Sequence, residues 1–199
     1  MRPREFDHDE VLRIAFDQFW RKGVRGTSLS DIARDAGVQR GSLYNAFGSK
    51  EALFLVAYGR YAGEYLNSVQ RALGSGTLRE RLTAFFDLVI RNFRSGSPPR
   101  GCPTTRGLME LAPGEGEGLD ENARQAFAGL LARITELIEQ ALSEGAGRGE
   151  FKGDPEAAAL HLATVTRGLA VLERAFGDEA QLRMIAAHTV DLVLGKKGS

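Results

Sequence analysis

The chain is predicted to be all-α, with about nine helices among its 199 residues. Three observations favour this fold class. Apolar residues recur at intervals of three and four along most of the chain, helix-capping residues precede these stretches, and glycines or prolines separate them. We find no convincing strand pattern and no internal repeat. The 43% share of apolar residues is sufficient for a substantial core.

The first helix is predicted to begin after Asp7, whose carboxylate suits an N-cap, with Glu10 three positions further on. It ends at Gly23, and its buried face contains Val11, Ile14, Ala15 and Phe19. A short link, residues 24–27, leads into the next helix.

Residues 29–48, LSDIARDAGVQRGSLYNAFG, have the pattern of two short helices that cross at a tight turn. Ser28 is the predicted N-cap of the first of them, with Asp31 reaching back as in a capping box. Gly37 follows at the point of reversal, where a residue without Cβ adopts a positive φ at little cost. The inward face of this helix is predicted to contain Ile32, Ala33 and Ala36.

The second of these helices runs from Gln39 or Arg40 to Phe47 and turns Leu43 and Phe47 inward. Its other faces keep polar side chains, namely Gln39, Arg40, Ser42, Tyr44 and Asn45. An ordinary helical hairpin is the alternative, but small, apolar and polar residues all fit a helix-turn-helix here. In that motif the second helix lies in the major groove of DNA.

A long fourth helix is predicted from the Ser49 cap to about Leu73, and Gly74-Ser75-Gly76 ends it. Thr77 then starts a fifth helix with a wide apolar stripe. Glycines and prolines interrupt the following segment, so we expect only a short helix at about 105–111, followed by a flexible acidic loop, PGEGEG. The remaining helices are predicted at about 119–143, 155–176 and 179–194.

This N-terminal region resembles the DNA-binding domain of the TetR/AcrR family of bacterial transcriptional regulators over about residues 8–60. The resemblance is carried by Thr27-Ser28, Asp31-Ile32-Ala33, Ala36-Gly37-Val38, Gly41-Ser42-Leu43-Tyr44, Phe47 and Ser49-Lys50-Glu51-Ala52-Leu53. Many members have histidine or tyrosine directly before the phenylalanine, whereas this chain has Ala46 there, which weakens any phosphate contact that the resemblance implies at this position. The resemblance implies a regulator, repressing by default, that a small effector releases from DNA.

On this basis we predict a helix-turn-helix DNA-binding domain at residues 1–50 and a larger ligand-binding and dimerisation domain at residues 51–199. Overall, 26 basic residues balance 26 acidic ones. Residues 1–50 contain nine Lys and Arg against seven Asp and Glu, a net charge of +2. Charge alone therefore does not predict nucleic-acid binding, because phosphate attraction depends on the local face.

Within the second helix of the motif, Arg40 suits a bidentate contact to guanine and Gln39 a contact to adenine, although both also suit phosphate. Asn45 fits either a base or the backbone. Arg2 and Arg4 form an arm for the minor groove or simply a mobile terminus. Phosphate contacts are predicted from Thr27, Ser42, Tyr44 and Lys50. The full predicted DNA-binding set is Thr27, Ser28, Gln39, Arg40, Gly41, Ser42, Tyr44, Asn45 and Lys50.

The last two helices have more apolar surface than one inward stripe requires. We therefore expect two copies to pair these helices into a four-helix bundle, which also brings two reading helices to a pseudo-palindromic operator. The alternative is that these residues are buried only within the chain. The predicted interface comprises Leu160, Ala163, Gly168, Leu169, Leu172, Leu182, Ile185, Thr189 and Val193.

The effector pocket is less well defined by the sequence. Its candidates come from apolar stripes with a few polar interruptions, and each is also a plausible plain core residue. The candidates are Phe86, Phe93, Cys102, Met109, Leu137, His161 and Thr164.

Cys102 lies between Arg100 and Arg106 near a helix start, and cations and helix N-termini favour the reactive thiolate. One alternative is therefore a regulator that is switched when an electrophile or oxidant modifies Cys102. The simpler interpretation is that Cys102 is an unreactive thiol. A cysteine-dependent hydrolase with His161 or His188 as base is a minor alternative, since nothing fixes a triad. A helical module that has lost its operator is a third interpretation.

The same sequence excludes several classes of protein. One cysteine allows no internal disulfide framework and is too few for a structural zinc site. The charged N-terminus resembles no secretory signal, and no apolar run approaches the roughly 20 residues that cross a bilayer. We expect a cytoplasmic protein without catalytic residues, metal or cofactor. Its expected partners are double-stranded operator DNA, a small-molecule effector and a second copy of itself.

Overall fold

The computed structural model describes residues 7–96, 99–111 and 119–195. Within these ranges the chain forms nine α-helices and no strand, so the all-α prediction is confirmed. The helices are α1 His8–Lys22, α2 Leu29–Asp35, α3 Arg40–Phe47, α4 Lys50–Ala72, α5 Leu78–Phe93, α6 Pro103–Glu110, α7 Leu119–Gly147, α8 Pro155–Phe176 and α9 Glu179–Leu194. The predicted acidic loop within 112–118, Arg2, Arg4 and the last four residues lie outside the described residues.

Helix boundaries follow the predicted caps closely. Asp7 accepts hydrogen bonds from the backbone N–H groups of Asp9 and Glu10, and Thr77 forms a full capping box with Glu80. Asp154 caps α8, which also has Pro155 in its first turn and ends at Gly177 in the left-handed conformation.

Two boundaries differ from the prediction. Helix α6 begins at Pro103 rather than near residue 105, because a proline at the first helical position loses no hydrogen bond. The Cys102 Sγ accepts a hydrogen bond from the Thr105 N–H at 3.4 Å, as an N-cap does. Helix α7 continues through Gly145, where a Cβ would collide with the Leu78 side chain, and ends at Gly147.

The chain divides into two compact units. The first unit comprises the chain up to Gly63 together with Arg106–Phe127. Its core is rich in aromatic rings: Phe19 meets Phe54 edge-on with centroids 5.3 Å apart, and Tyr58 meets Phe127 edge-on at 4.8 Å. Such edge-to-face pairs add to the stability gained from apolar burial.

The second unit comprises Glu64–Thr105 and the chain from Ala128 onward. Helix α5 packs against both α8 and α9 there. Its apolar stripe is fully buried, as the sequence predicted, and includes Leu82, Phe85, Phe86, Val89, Ile90 and Phe93. No helix in the described ranges is long and apolar enough to cross a bilayer.

Candidate nucleic-acid interface and effector region

The turn between α2 and α3 has the geometry that the sequence predicted. Gly37 has φ +65°, the Val38 N–H donates to the Ala33 carbonyl at 2.9 Å, and the Gly37 N–H donates to the Arg34 carbonyl at 3.2 Å. These two bonds form a Schellman motif, which satisfies the last carbonyls of α2. Ile32 and Ala33 are buried, so α3 leaves the turn at a fixed angle.

Helix α3 is held by its inward face and leaves its polar side chains outside. Leu43 is fully buried, and the Phe47 ring lies 5.6 Å from the His8 ring. Exposed polar side chains of α3 and its N-cap make no hydrogen bond or ion pair within the described part of the chain; they are Gln39, Arg40, Tyr44 and Asn45. Side chains left unpartnered in this way remain available to another molecule.

The start of α3 is also unsatisfied. Unlike Asp7 and Ser28 at the two preceding helices, the Gln39 side chain accepts no capping hydrogen bond. A Cβ on Gly41 would meet no atom within 4 Å, so this side of the first turn is open. An open helix N-terminus with free N–H groups favours an anion such as a phosphate.

Positive charge is distributed unevenly over this surface. Arg34 of α2 is neutralised by Asp31 at 3.0 Å and Asp35 at 3.1 Å. The Ser28 hydroxyl donates to the Asp31 carboxylate at 2.7 Å and holds the pKa of that carboxyl below its usual value. Arg40 and the half-buried Lys50 have no ion-pair partner among the described residues, so no described carboxylate neutralises their positive charges.

Thr27 occupies a different environment from the other predicted contacts. Its side chain is only 2% exposed, and its Oγ1 donates to the Gly23 carbonyl at 2.7 Å. The hydroxyl therefore fixes the link between α1 and α2. Ser28 is exposed, and its Oγ caps α2 by accepting from the Asp31 N–H at 3.1 Å. The predicted phosphate contact of Thr27 and the predicted DNA contact of Ser28 stay predictions.

A structural feature that the sequence analysis did not identify is the attachment of α6 to the end of α1. The Arg106 Nη1 donates to the Trp20 carbonyl at 3.0 Å and to the Arg21 carbonyl at 2.8 Å. Its Nε donates to Glu110 at 2.7 Å, and the Glu110 carboxylate lies against Gly23. Since the last carbonyls of a helix lack intrahelical partners, Arg106 stabilises the terminal turn of α1. No local sequence pattern indicates a contact between residues so distant in the chain.

The predicted effector residues fall into two environments. Phe86, Phe93, Cys102 and Leu137 are buried in the second unit. Met109 is 76% exposed on α6, and His161 and Thr164 are exposed on α8. The structure therefore does not bring His161 and Thr164 into the environment of the buried candidates. The pocket as a set stays a prediction.

The buried cysteine has a cationic neighbour that the sequence analysis did not identify. The Arg167 Nη1 lies 3.2 Å from the Cys102 Sγ and 3.4 Å from the Thr105 Oγ1. Burial raises the pKa of the nearby Tyr65 phenol, so this group stays protonated at neutral pH. His161 and His188 are exposed, and neither is among the described hydrogen-bond partners of Cys102.

The residues of the predicted dimer interface also differ in their exposure to solvent. Leu160 is 55% exposed and Gly168 is exposed, while Ala163, Leu172, Ile185 and Val193 are half-buried. Leu169, Leu182 and Thr189 are buried within the second unit itself. Other large apolar side chains of the two helices are exposed, namely Val171, Phe176, Met184 and Leu192.

A shallow cleft of about 150 Å³ lies between α5 and α9, with Phe86, Ala186 and Val190 among its lining residues. Ion pairs border it, one of them between Arg183 and Asp87 at 2.6 Å. Among the described residues, no group of three or more His, Cys, Asp or Glu side chains is placed to hold a metal ion.

Comparison with known proteins covers both units. Residues 11–57 match the model for bacterial regulatory proteins of the tetR family, and residues 79–189 match that for tetracyclin repressor-like C-terminal domains. The chain is 26% identical to the HTH-type transcriptional repressor ComR of Escherichia coli (strain K12), over 96% of this chain and 90% of ComR. It is 28% identical to the HTH-type transcriptional repressor NemR of the same strain, over 71% and 70%. A solved CifR cysteine mutant complexed with 26-bp double-strand operator DNA is 30% identical, with a TM-score of 0.81 over 95% and 98%.

Proposed function

The chain belongs to the TetR family of bacterial transcriptional regulators, and from this premise we propose that it is a repressor that binds a pseudo-palindromic operator as a dimer until a small effector releases it. The observation that carries the proposal is the exposed, unpartnered polar surface of α3 on a rigid turn. We place the protein in the cytoplasm, where its DNA target lies. Its relatives ComR and NemR are named as transcriptional repressors.

In this proposal α3 lies in the major groove, and its side chains contact either base edges or phosphates. Arg40 and Gln39 contact base edges, and each good bidentate pair contributes about 1–3 kcal/mol of discrimination. Tyr44, Ser42 and Lys50 hold phosphates on either side, together with the free N–H groups around Gly41. Asn45 serves either purpose. Thr27 and Ser28 contribute chiefly by fixing the start of α2.

Dimerisation is supported by the exposed apolar side chains of α8 and α9. Leu160 and Val171 lie on α8, and Met184 and Leu192 lie on α9, each at least 48% exposed. Exposed apolar patches of this kind on a two-helix face mark protein interfaces. A two-fold axis through this face pairs the helices into a four-helix bundle and relates two α3 helices, as a pseudo-palindromic operator requires.

Selection of bound duplexes from a random pool tests the proposal, followed by fluorescence anisotropy on the enriched sequence. Arg40→Ala is expected to weaken discrimination against a single base change roughly tenfold. Arg34→Ala is the matched control, because Arg34 is exposed on the neighbouring helix but already neutralised by two carboxylates. Failure of the pool to enrich any inverted repeat, or equal effects of the two variants, contradicts the assignment of α3 as the reading helix.

A second candidate switch is covalent modification of Cys102. The Sγ accepts hydrogen bonds from the Thr105 N–H and from Arg167, and the thiolate is the form of a cysteine that reacts. With a quinone, the thiolate forms an S–C bond to a ring carbon, the displaced π pair moves to the carbonyl oxygen, and water supplies the proton. We expect Cys102→Ser to remain on the operator after quinone treatment that releases the wild type. Equal release of both proteins excludes this switch.

A further inference from the structure

Arg167 differs from Arg79, Arg81 and Arg94, three other arginines of its unit that are buried or partly buried, in what surrounds it. Arg79 pairs with Asp191, Arg81 with Glu144 and Arg94 with Glu179. In the portion of the chain that the structure describes, no carboxylate lies within 4.0 Å of Arg167. Burying a charge is costly unless it is paired, and Arg167 has no described carboxylate partner of the kind that these three arginines have.

The described hydrogen-bond acceptors of Arg167 are one cysteine sulfur and two threonine hydroxyls. Its Nη1 donates to the Cys102 Sγ and the Thr105 Oγ1, while its Nε and Nη2 donate to the Thr166 Oγ1 at 3.1 and 2.9 Å. Its Cζ lies 6.0 Å from the centroid of the Phe93 ring. Thiol and hydroxyl acceptors bind a guanidinium more weakly than an ionised oxygen does, roughly by a factor of two in energy. An incoming anion can therefore replace them favourably.

We propose that Arg167 binds the anionic group of the effector, and that the effector is a carboxylate with an apolar body. The planar fork of a guanidinium matches the two oxygens of a carboxylate. The Thr105 hydroxyl is placed to share these oxygens, and the Phe93 ring provides an apolar wall beside them. The inference rests on the proposed function, since it names the chemical class of the effector of the same regulator.

Cys102 is the other group that could supply negative charge to Arg167, through its thiolate. Three variants separate these roles. Cys102→Ser keeps a small neutral acceptor next to the guanidinium but does not ionise at neutral pH. Arg167→Met keeps an unbranched side chain without charge, and Arg167→Lys keeps the charge without the fork.

The test uses two matched probe pairs, octanoate with octanol and benzoate with benzyl alcohol, titrated by calorimetry into the full-length protein. We expect at least one carboxylate to bind the wild type and Cys102→Ser roughly tenfold or more tightly than it binds Arg167→Met. Arg167→Lys should be intermediate, and the alcohols should not distinguish the variants. The inference is overturned if neither carboxylate binds the wild type more tightly than its alcohol, or if Arg167→Met binds it equally well.

Two further measurements keep these outcomes separable. Circular dichroism and the melting temperature of each variant establish folding, and if Arg167→Met is unfolded, the comparison of acid with alcohol on the wild type and on Arg167→Lys still decides. Operator binding by the wild type is measured in parallel. If the unliganded wild type does not bind the operator, the proposed function is contradicted. If it binds the operator but does not distinguish the carboxylates from the alcohols, only this inference is contradicted.

Discussion

Replacement of Arg106 by alanine is expected to weaken operator binding although the residue is far in sequence from α3. Arg106 donates to the carbonyls of Trp20 and Arg21 in the last turn of α1. The turn that they belong to leads to Gly23, whose carbonyl accepts from Thr27 at the start of the helix-turn-helix. Loss of the guanidinium therefore loosens the link that positions α2 and α3.

The magnitude follows from the two hydrogen bonds. A hydrogen bond involving a charged group contributes about 1.5–3 kcal/mol, and the Arg106 side chain is 29% exposed, so the combined contribution is reduced to about 1–3 kcal/mol by solvent screening. If DNA binding requires the ordered link, this corresponds to a loss of affinity of roughly fivefold to a hundredfold. Arg106→Lys should retain part of the affinity, because an ammonium group also donates to carbonyls.

Fluorescence anisotropy with the selected operator measures this loss, and hydrogen exchange locates it. We expect faster exchange in the last turn of α1 and in residues 24–27, with α8 unchanged. Arg133→Ala is the matched control, because Arg133 pairs with Glu136 on an exposed face. Operator affinity of Arg106→Ala within about twofold of the wild type, together with unchanged exchange, would refute the reasoning.

Three further predictions concern the contact of Lys50 with DNA phosphates, dimerisation and stability in acid. Lys50→Ala should reduce the salt slope of operator binding by about one without altering sequence preference, whereas Arg40→Ala should alter preference. Met184→Glu should give a monomer by sedimentation and abolish operator binding, because it places charge in an apolar face. Hydrogen bonding from Arg81 lowers the pKa of Glu144, so this carboxylate stabilises the fold above its unfolded-state pKa and loses that contribution as pH falls through the folded-state pKa. Glu144→Gln should therefore flatten the decline of the melting temperature below about pH 4.5.

Matched variants control for general damage. Arg124→Ala serves for the salt slope, since it removes one exposed cation from α7. Met109→Glu places the same charge on α6, where 76% of the residue is already exposed, and should remain dimeric. Glu136→Gln changes an exposed carboxylate of the same helix as Glu144. Equal behaviour of a variant and its control contradicts the corresponding prediction.

Local features of this chain were predictable from sequence because their causes are local. Asp7, Ser28, Thr77 and Asp154 cap helices through their own side chains, and Gly37 is needed for the positive φ of the turn. These interactions span only a few residues, so residue type and spacing reveal them.

Long-range features were not predictable in the same way. Arg106 and Arg167 act through partners more than 60 residues away in the chain, and no periodicity reports such contacts. Thr27 lies next to a helix start, as a phosphate ligand would, yet its hydroxyl is directed to an internal carbonyl. Helices α8 and α9 have more apolar residues than one inward stripe requires, so the sequence alone did not show that Leu169 and Leu182 pack within the chain.

The most direct test compares the affinity of the unliganded wild-type protein for its selected inverted repeat with its affinity for a scrambled duplex of equal length and composition, at fixed salt. Reading of base edges by two α3 helices predicts a preference of roughly a thousandfold or more. Equal affinities for the two duplexes would contradict the account.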